Sequence, residues 1–154
     1  MRLQRAGAVA GLLAALVIAA AWIPTRSAMA ASSKLTMVLE IQRIGQQTTD
    51  LGAPGPSVGD LTVSWGDAYD TAGRKVGYWG ESCPTVRPDG TVQCLTSAVL
   101  AGGQITFQGL ALLSAPNNTI AISGGTGGYS SIRGEVRVAG TGVDTEEITL
   151  SYTL

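Results

Sequence analysis

Residues 75–114 read KVGYWGESCPTVRPDGTVQCLTSAVLAGGQITFQGLALLS. Two breaks divide this stretch into three short runs. The first break, Arg87-Pro88-Asp89-Gly90, has the chemistry of a tight turn: Pro presets φ, Asp bonds its own backbone, and Gly accepts positive φ. The second, Gly102-Gly103, is a two-residue link. The runs between them, Lys75–Cys83, Thr91–Ala101 and Gln104–Ser114, show no sustained i, i+3, i+4 pattern. Their apolar residues alternate or cluster briefly, as strands require. Turns this short make consecutive strands antiparallel neighbours.

The same pattern extends outward in both directions. Lys34–Arg43 and Asp60–Ala68 precede this block, and Thr119–Ser123, Ile132–Ala139 and Glu146–Thr153 follow it. Thr71-Ala72-Gly73, Ala115-Pro116-Asn117-Asn118 and Gly124-Gly125-Thr126-Gly127-Gly128 supply further turns, and Ile44–Gly59 reads as one longer loop. Eight short strands predict an all-β fold. A closed eight-stranded antiparallel β-barrel leaves no exposed edge, with a two-sheet sandwich as the alternative. A barrel of this size has room for packed side chains or for one small ligand.

The N-terminus has a different composition. Arg2 and Arg5 precede an apolar run from Ala6 to Ile23, and Ala28-Met29-Ala30 is a small-x-small cleavage signal. This is the order of a secretory signal peptide, residues 1–30, with a retained membrane anchor as the rival reading. The expected mature chain, Ala31–Leu154, has 124 residues, enough for one domain and too few for two. Arg2, Arg5 and Arg26 belong to the leader, which leaves seven basic against eleven acidic side chains. A mature chain without a basic run argues against nucleic acid or an anionic membrane surface as partner. The expected location is extracellular.

Histidine is absent, which removes Ser-His-Asp and Cys-His catalysis and every His-ligated metal site. Two cysteines are too few for a Cys-rich zinc site, so no metal is expected. The glycine cluster at 124–128 lacks the Gly-Lys-Ser/Thr ending and the following helix of a phosphate loop. Cys83 and Cys94 flank the Pro88-Asp89 turn, each five residues out, and so stand opposite or one position off in a hairpin. In an exported chain such a pair favours a disulfide; the alternative is a free thiol in a pocket. In the first strand, Leu35, Met37, Leu39 and Ile41 form one face, and Thr36, Val38, Glu40 and Gln42 the other. Periodicity alone points the apolar face inward and Glu40 at water.

Several segments, in order, resemble the plant allene oxide cyclases. Val38-Leu39-Glu40-Ile41-Gln42 looks like the family's Val-Tyr-Glu-Ile-Asn segment. Gly59-Asp60-Leu61 and Tyr69-Asp70 are similar to its Gly-Asp-Leu and Tyr-Ser-Gly-Asp patterns. Gln104-Ile105-Thr106-Phe107-Gln108-Gly109 and Ile120-Ala121-Ile122-Ser123-Gly124-Gly125-Thr126-Gly127 match two further motifs. The related dirigent proteins share the Gly-Gly-Thr-Gly turn and the Arg133-Gly134 pair that follows. The resemblance implies an eight-stranded barrel, usually trimeric, with an apolar lumen and no cofactor. It implies a catalytic role for Glu40, and ligand-binding roles for Gln42 and for Cys83. Glu40 would then face the lumen, and Leu35, Met37, Leu39 and Ile41 would form an outer contact surface. The expected function is binding of an apolar, reactive small molecule and steering of its cyclisation. The alternative is a dirigent-like or non-catalytic barrel. An open apolar lumen favours the first, and a lumen filled by Trp65, Trp79 and Phe107 favours the second.

Overall fold

The computed structural model describes residues 33–112 and 114–154. The signal-peptide expectation falls outside the described residues. Eight strands follow one another in chain order: β1 (Leu35–Thr49), β2 (Leu61–Tyr69), β3 (Lys75–Pro84), β4 (Thr91–Leu100), β5 (Gly103–Leu112), β6 (Asn117–Gly125), β7 (Arg133–Gly140) and β8 (Thr145–Thr153). Each is antiparallel to the next, and β8 pairs with β1 from Leu35↔Tyr152 to Gln42↔Thr145, which closes the barrel. The sandwich alternative is thereby excluded. A single 3-10 turn, Gly127–Tyr129, sits between β6 and β7.

Two boundaries differ from the sequence reading. β1 continues through Thr49, well into the segment expected to be loop. Its tail pairs with β2 from Gly45↔Trp65 to Thr49↔Leu61, after a bulge between Arg43 and Gly45. Gly45 has no side chain, and the Trp65 indole occupies the space where its Cβ would stand. Gln46, Gln47, Thr48 and Thr49 carry no apolar alternation, so this part of the strand is held by its ladder and leaves no hydrophobic signature. Likewise β6 runs on through Gly124 and Gly125, which pair with Thr106 and Ile105. The tight turn expected over 124–128 is thus shifted to the 3-10 turn.

Inside the barrel, paired residues stack their side chains on one face, and these rows pack together toward one end. Ile105, Ile132, Val136 and Leu150 are fully buried there, with Trp79, Ile122 and Tyr152 around them. A second, smaller cluster of Cys83, Val92 and Cys94 lies toward the other end, where the β1–β2, β3–β4, β5–β6 and β7–β8 connections gather. The first strand settles its own orientation: Leu39 and Ile41 are buried in the core and Glu40 is exposed. Burying two large aliphatic side chains in a row outweighs burying one carboxylate. The outer contact surface expected from Leu35, Met37, Leu39 and Ile41 is therefore corrected, because Leu39, Ile41 and the partly buried Met37 pack in the core.

Candidate functional site

A cavity of about 250 Å³ occupies the lumen toward the loop end. Its walls are mainly apolar, with Ile41, Phe107, Ile120, Val138 and Ile148 among them. Two acids, Glu81 and Glu146, break this surface. Ala115 and Pro116, from the β5–β6 connection, stand at its rim.

Strand phase places each polar group. On β3, Trp79, Glu81 and Cys83 share the inward face. Across the ladders, Glu81 pairs with Ser64 on β2 and Thr96 on β4, and Ser64 and Thr96 are both buried. Thr96 Oγ1 donates to Glu81 Oε2 at 3.2 Å. On β1, Arg43 continues the phase of Leu39 and Ile41, and its Nη2 lies 3.4 Å from Glu146 Oε1 and its Nη1 3.7 Å from Asp144. The lumen thus holds a short polar layer across β1, β2, β3, β4 and β8.

Burial pushes the Glu81 carboxyl above its ordinary range, and the nearby Glu146 charge adds to the effect. The Thr96 and Ser64 hydroxyls and the Arg43 charge oppose it without reversing it. Glu81 therefore holds its proton more tightly than a solvated glutamate. Arg43 Nε and Trp79 Nε1 are buried donors without a hydrogen-bond partner. They share the inward row through Gly66, which pairs with Arg43 on one side and Trp79 on the other.

Cys83 and Cys94 form a disulfide, with Cα atoms 4.2 Å apart. Their sulfurs lie within 4.8 Å of a Glu81 carboxylate oxygen. Joined to each other, the sulfurs are not thiolate ligands, so this trio does not hold a metal in the oxidised protein. The bond also removes the free thiol expected of Cys83 as a pocket group, although Cys94 contributes to the cavity wall.

Of Glu40, Gln42 and Cys83, only Cys83 is buried, beside the cavity wall to which its disulfide partner Cys94 belongs. Glu40 is exposed on the outer face, between Tyr69 on β2 and Glu147 on β8. Gln42 is exposed as well, between Asp67 and Thr145. In a strand a one-residue change of phase exchanges the two faces, and the aliphatic face of β1 took the interior. The sequence reading does not single out Glu81, Thr96, Arg43 or Glu146. A signal existed: Glu81 alternates with Trp79 and Cys83, and Glu146 with Ile148 and Leu150, so each acid stands in phase with an inward apolar row.

The described residues form a closed eight-stranded antiparallel β-barrel with an acid-bearing lumenal cavity. A family model described as "Allene oxide cyclase barrel like domain" matches residues 40–151, and the chain belongs to that family. Among solved structures, it is similar to a pyocyanin demethylase at 31% identity and a TM-score of 0.71, over 77% of this chain and 100% of the other. The Diels-Alderase AbnU shares the fold at 16% identity and a TM-score of 0.65, over 78% of this chain and 98% of its own. A pterocarpan synthase dirigent protein does so at 14% identity and a TM-score of 0.61, over 79% and 87% respectively. A search of curated proteins finds no match.

Proposed function

We propose that the lumenal cavity binds a compact, mainly apolar, reactive small molecule and steers its rearrangement, with Glu81 moving the proton. The observation that carries this reading is a carboxyl with raised proton affinity in a mainly apolar cavity. A titratable group perturbed by burial in a cleft is a candidate functional residue. Apolar walls hold a flexible substrate near its reacting conformer and keep water away, while Glu81 donates or accepts a proton at the ligand. At about 250 Å³ the cavity lies just below the ~300–1,000 Å³ typical of drug-sized ligands. It suits a small ring system better than a long acyl chain. The relative at 31% identity is named a pyocyanin demethylase, which is consistent with a small-molecule ligand.

A dirigent-like or purely binding role is favoured by one observation: Trp79 and Phe107 are buried in the core, so the lumen is partly filled. Trp65 does not contribute to that filling, because it is 45% exposed on the outside. The remaining cavity supports the first reading. The protein is further proposed to act outside the cell, as a homotrimer. A lumenal disulfide supports an oxidising compartment, and exposed Val63, Trp65, Tyr78 and Leu95 supply an apolar outer face for self-association.

A thermal-shift screen of compact hydrophobic molecules, run beside the cavity-filling variant Ala111→Trp, tests the binding claim. Stabilisation of the wild type and not of the variant is expected. Equal shifts in both, or none in either, would overturn it.

A further inference from the structure

We propose that reduction of the Cys83–Cys94 disulfide converts the loop end of the lumen into a site for a zinc-like divalent cation, with the two thiolates and the Glu81 carboxylate as ligands. The inference stands on side-chain geometry and does not depend on which small molecule the cavity takes.

Among the described residues, Glu81, Cys83 and Cys94 form the one cluster of three metal-ligating side chains, with a ligand atom of each within 4.8 Å of the other two. The strands put them there. Glu81 and Cys83 are two residues apart on β3 and face inward together, and Cys94 stands across from Cys83 on β4. Zinc binds thiolate sulfur at ~2.3 Å and carboxylate oxygen at ~2.0–2.2 Å, so without the S–S bond small side-chain rotations bring the three atoms round one ion. Two thiolates select a borderline-soft ion over Mg²⁺ or Ca²⁺, which take oxygen ligands.

The surroundings suit such an ion. Cys83 and Cys94 are buried against Val92 and Ala111, so water competes little for the sulfurs. Thr96 Oγ1 donates to Glu81 Oε2 at 3.2 Å and orients the carboxylate, as outer partners do at metal sites. The Arg43 charge reaches Glu81, but Arg43 is already paired with Glu146 and Asp144, so these three together present no net positive charge to an incoming cation. Glu81 and Cys94 line the cavity, so the ion enters through the lumen and keeps a fourth position facing it. Three protein ligands with one open position leave room for a water or a ligand atom.

Two steps load the site. A dithiol reductant gives two electrons and two protons to the S–S bond, which leaves two thiols and the reductant's own disulfide. The cation then releases both thiol protons to solvent and forms two metal–sulfur bonds and one metal–oxygen bond. The two states exclude each other: the disulfide has no thiolate to offer, and sulfurs held by a metal are not free to re-form the disulfide. The metal also takes up the Glu81 carboxylate and withholds it from proton transfer.

Cadmium is the probe, because cadmium–thiolate bonds absorb in the ultraviolet and cadmium bound by oxygen alone does not. The protein would be reduced with dithiothreitol under nitrogen, freed of it by gel filtration, and checked for free thiols at both cysteines and for unchanged circular dichroism. It would then be titrated with Cd²⁺ beside the oxidised form, reduced Glu81→Gln and Cys83→Ser/Cys94→Ser. Reduced wild type should take one Cd²⁺ per chain with the thiolate absorption, and its reoxidation in air should slow when Cd²⁺ is present. The oxidised form and the double variant should show no such absorption. Reduced Glu81→Gln should keep the absorption and bind at least about tenfold more weakly. The site is overturned if the disulfide cannot be reduced without loss of the fold, if reduced wild type shows no thiolate absorption, if reduced Glu81→Gln binds as tightly, or if Cd²⁺ leaves reoxidation unchanged.

Discussion

Glu81 and Glu40 carry the same side chain, and their surroundings give them opposite expectations. The folded protein binds the Glu81 proton more tightly than the unfolded chain, whose glutamates titrate near 4.5. Its contribution to stability is thus complete below that value and is lost as pH rises through the raised folded-state value. Glu81→Gln should be more thermostable than wild type at pH 7, and the gap should close near pH 4; calorimetric melts at the two pH values check this. Removing a general acid typically costs ~10²–10⁴-fold in rate, so the same variant should lose turnover of any substrate found. Glu40→Gln should leave rate unchanged and stability within about 0.5 kcal/mol, because its carboxylate is exposed and directly opposite Glu147. A large rate loss in Glu40→Gln would return that residue to the centre of the account. Composition alone could not separate these two acids. Strand phase could, since Glu40 alternates against Leu39 and Ile41 whereas Glu81 alternates with Trp79 and Cys83.

At the scale of the strands, the barrel was legible wherever apolar residues alternate and Gly, Pro or Asp mark the turns. The Asp89 turn shows why: Asp89 Oδ1 accepts from the Thr91 backbone at 3.0 Å and its hydroxyl at 2.6 Å, and these bonds hold its carboxyl down at about 2. The β1 tail was not legible, because its order comes from pairing with β2 and its side chains are Gln and Thr. Pairing of β3 with β4 runs from Gly77↔Leu100 to Ser82↔Leu95, and the Cys83–Cys94 bond continues it before the Thr85↔Val92 bridge. The double variant Cys83→Ser/Cys94→Ser should lose about 2–3 kcal/mol in urea unfolding, since a short bridged loop restricts the unfolded chain by that amount. A loss below about 0.5 kcal/mol would mean that the ladder alone holds this end of the barrel. Gly66 lies where a Cβ would run into the Gln42 carbonyl oxygen of the neighbouring strand. Gly66→Ala should therefore destabilise by about 1–3 kcal/mol, measured the same way. A neutral substitution would show that β1 and β2 separate easily at the bulge.

For the whole molecule, the barrel divides into a packed end and an end with a cavity, and it has an outer face rich in exposed apolar side chains. Val63 and Leu95 flank Ser82 in one outward row, with Trp65 alongside. Sedimentation equilibrium of the protein lacking residues 1–30 should give a trimer mass, and Trp65→Glu should shift it to monomer. A monomer mass for the unsubstituted protein would remove self-association from the account. The central claim is that the lumen, with Glu81 at its wall, is where chemistry or binding takes place. A crystal structure of the protein grown with the compact hydrophobic molecule that stabilises it most tests this directly. The account predicts ligand density inside the barrel, in contact with Phe107 and within hydrogen-bonding or ion-pairing reach of Glu81. Ligand density on the outer face beside Glu40 and Glu147, with the lumen closed by its own side chains, would contradict it.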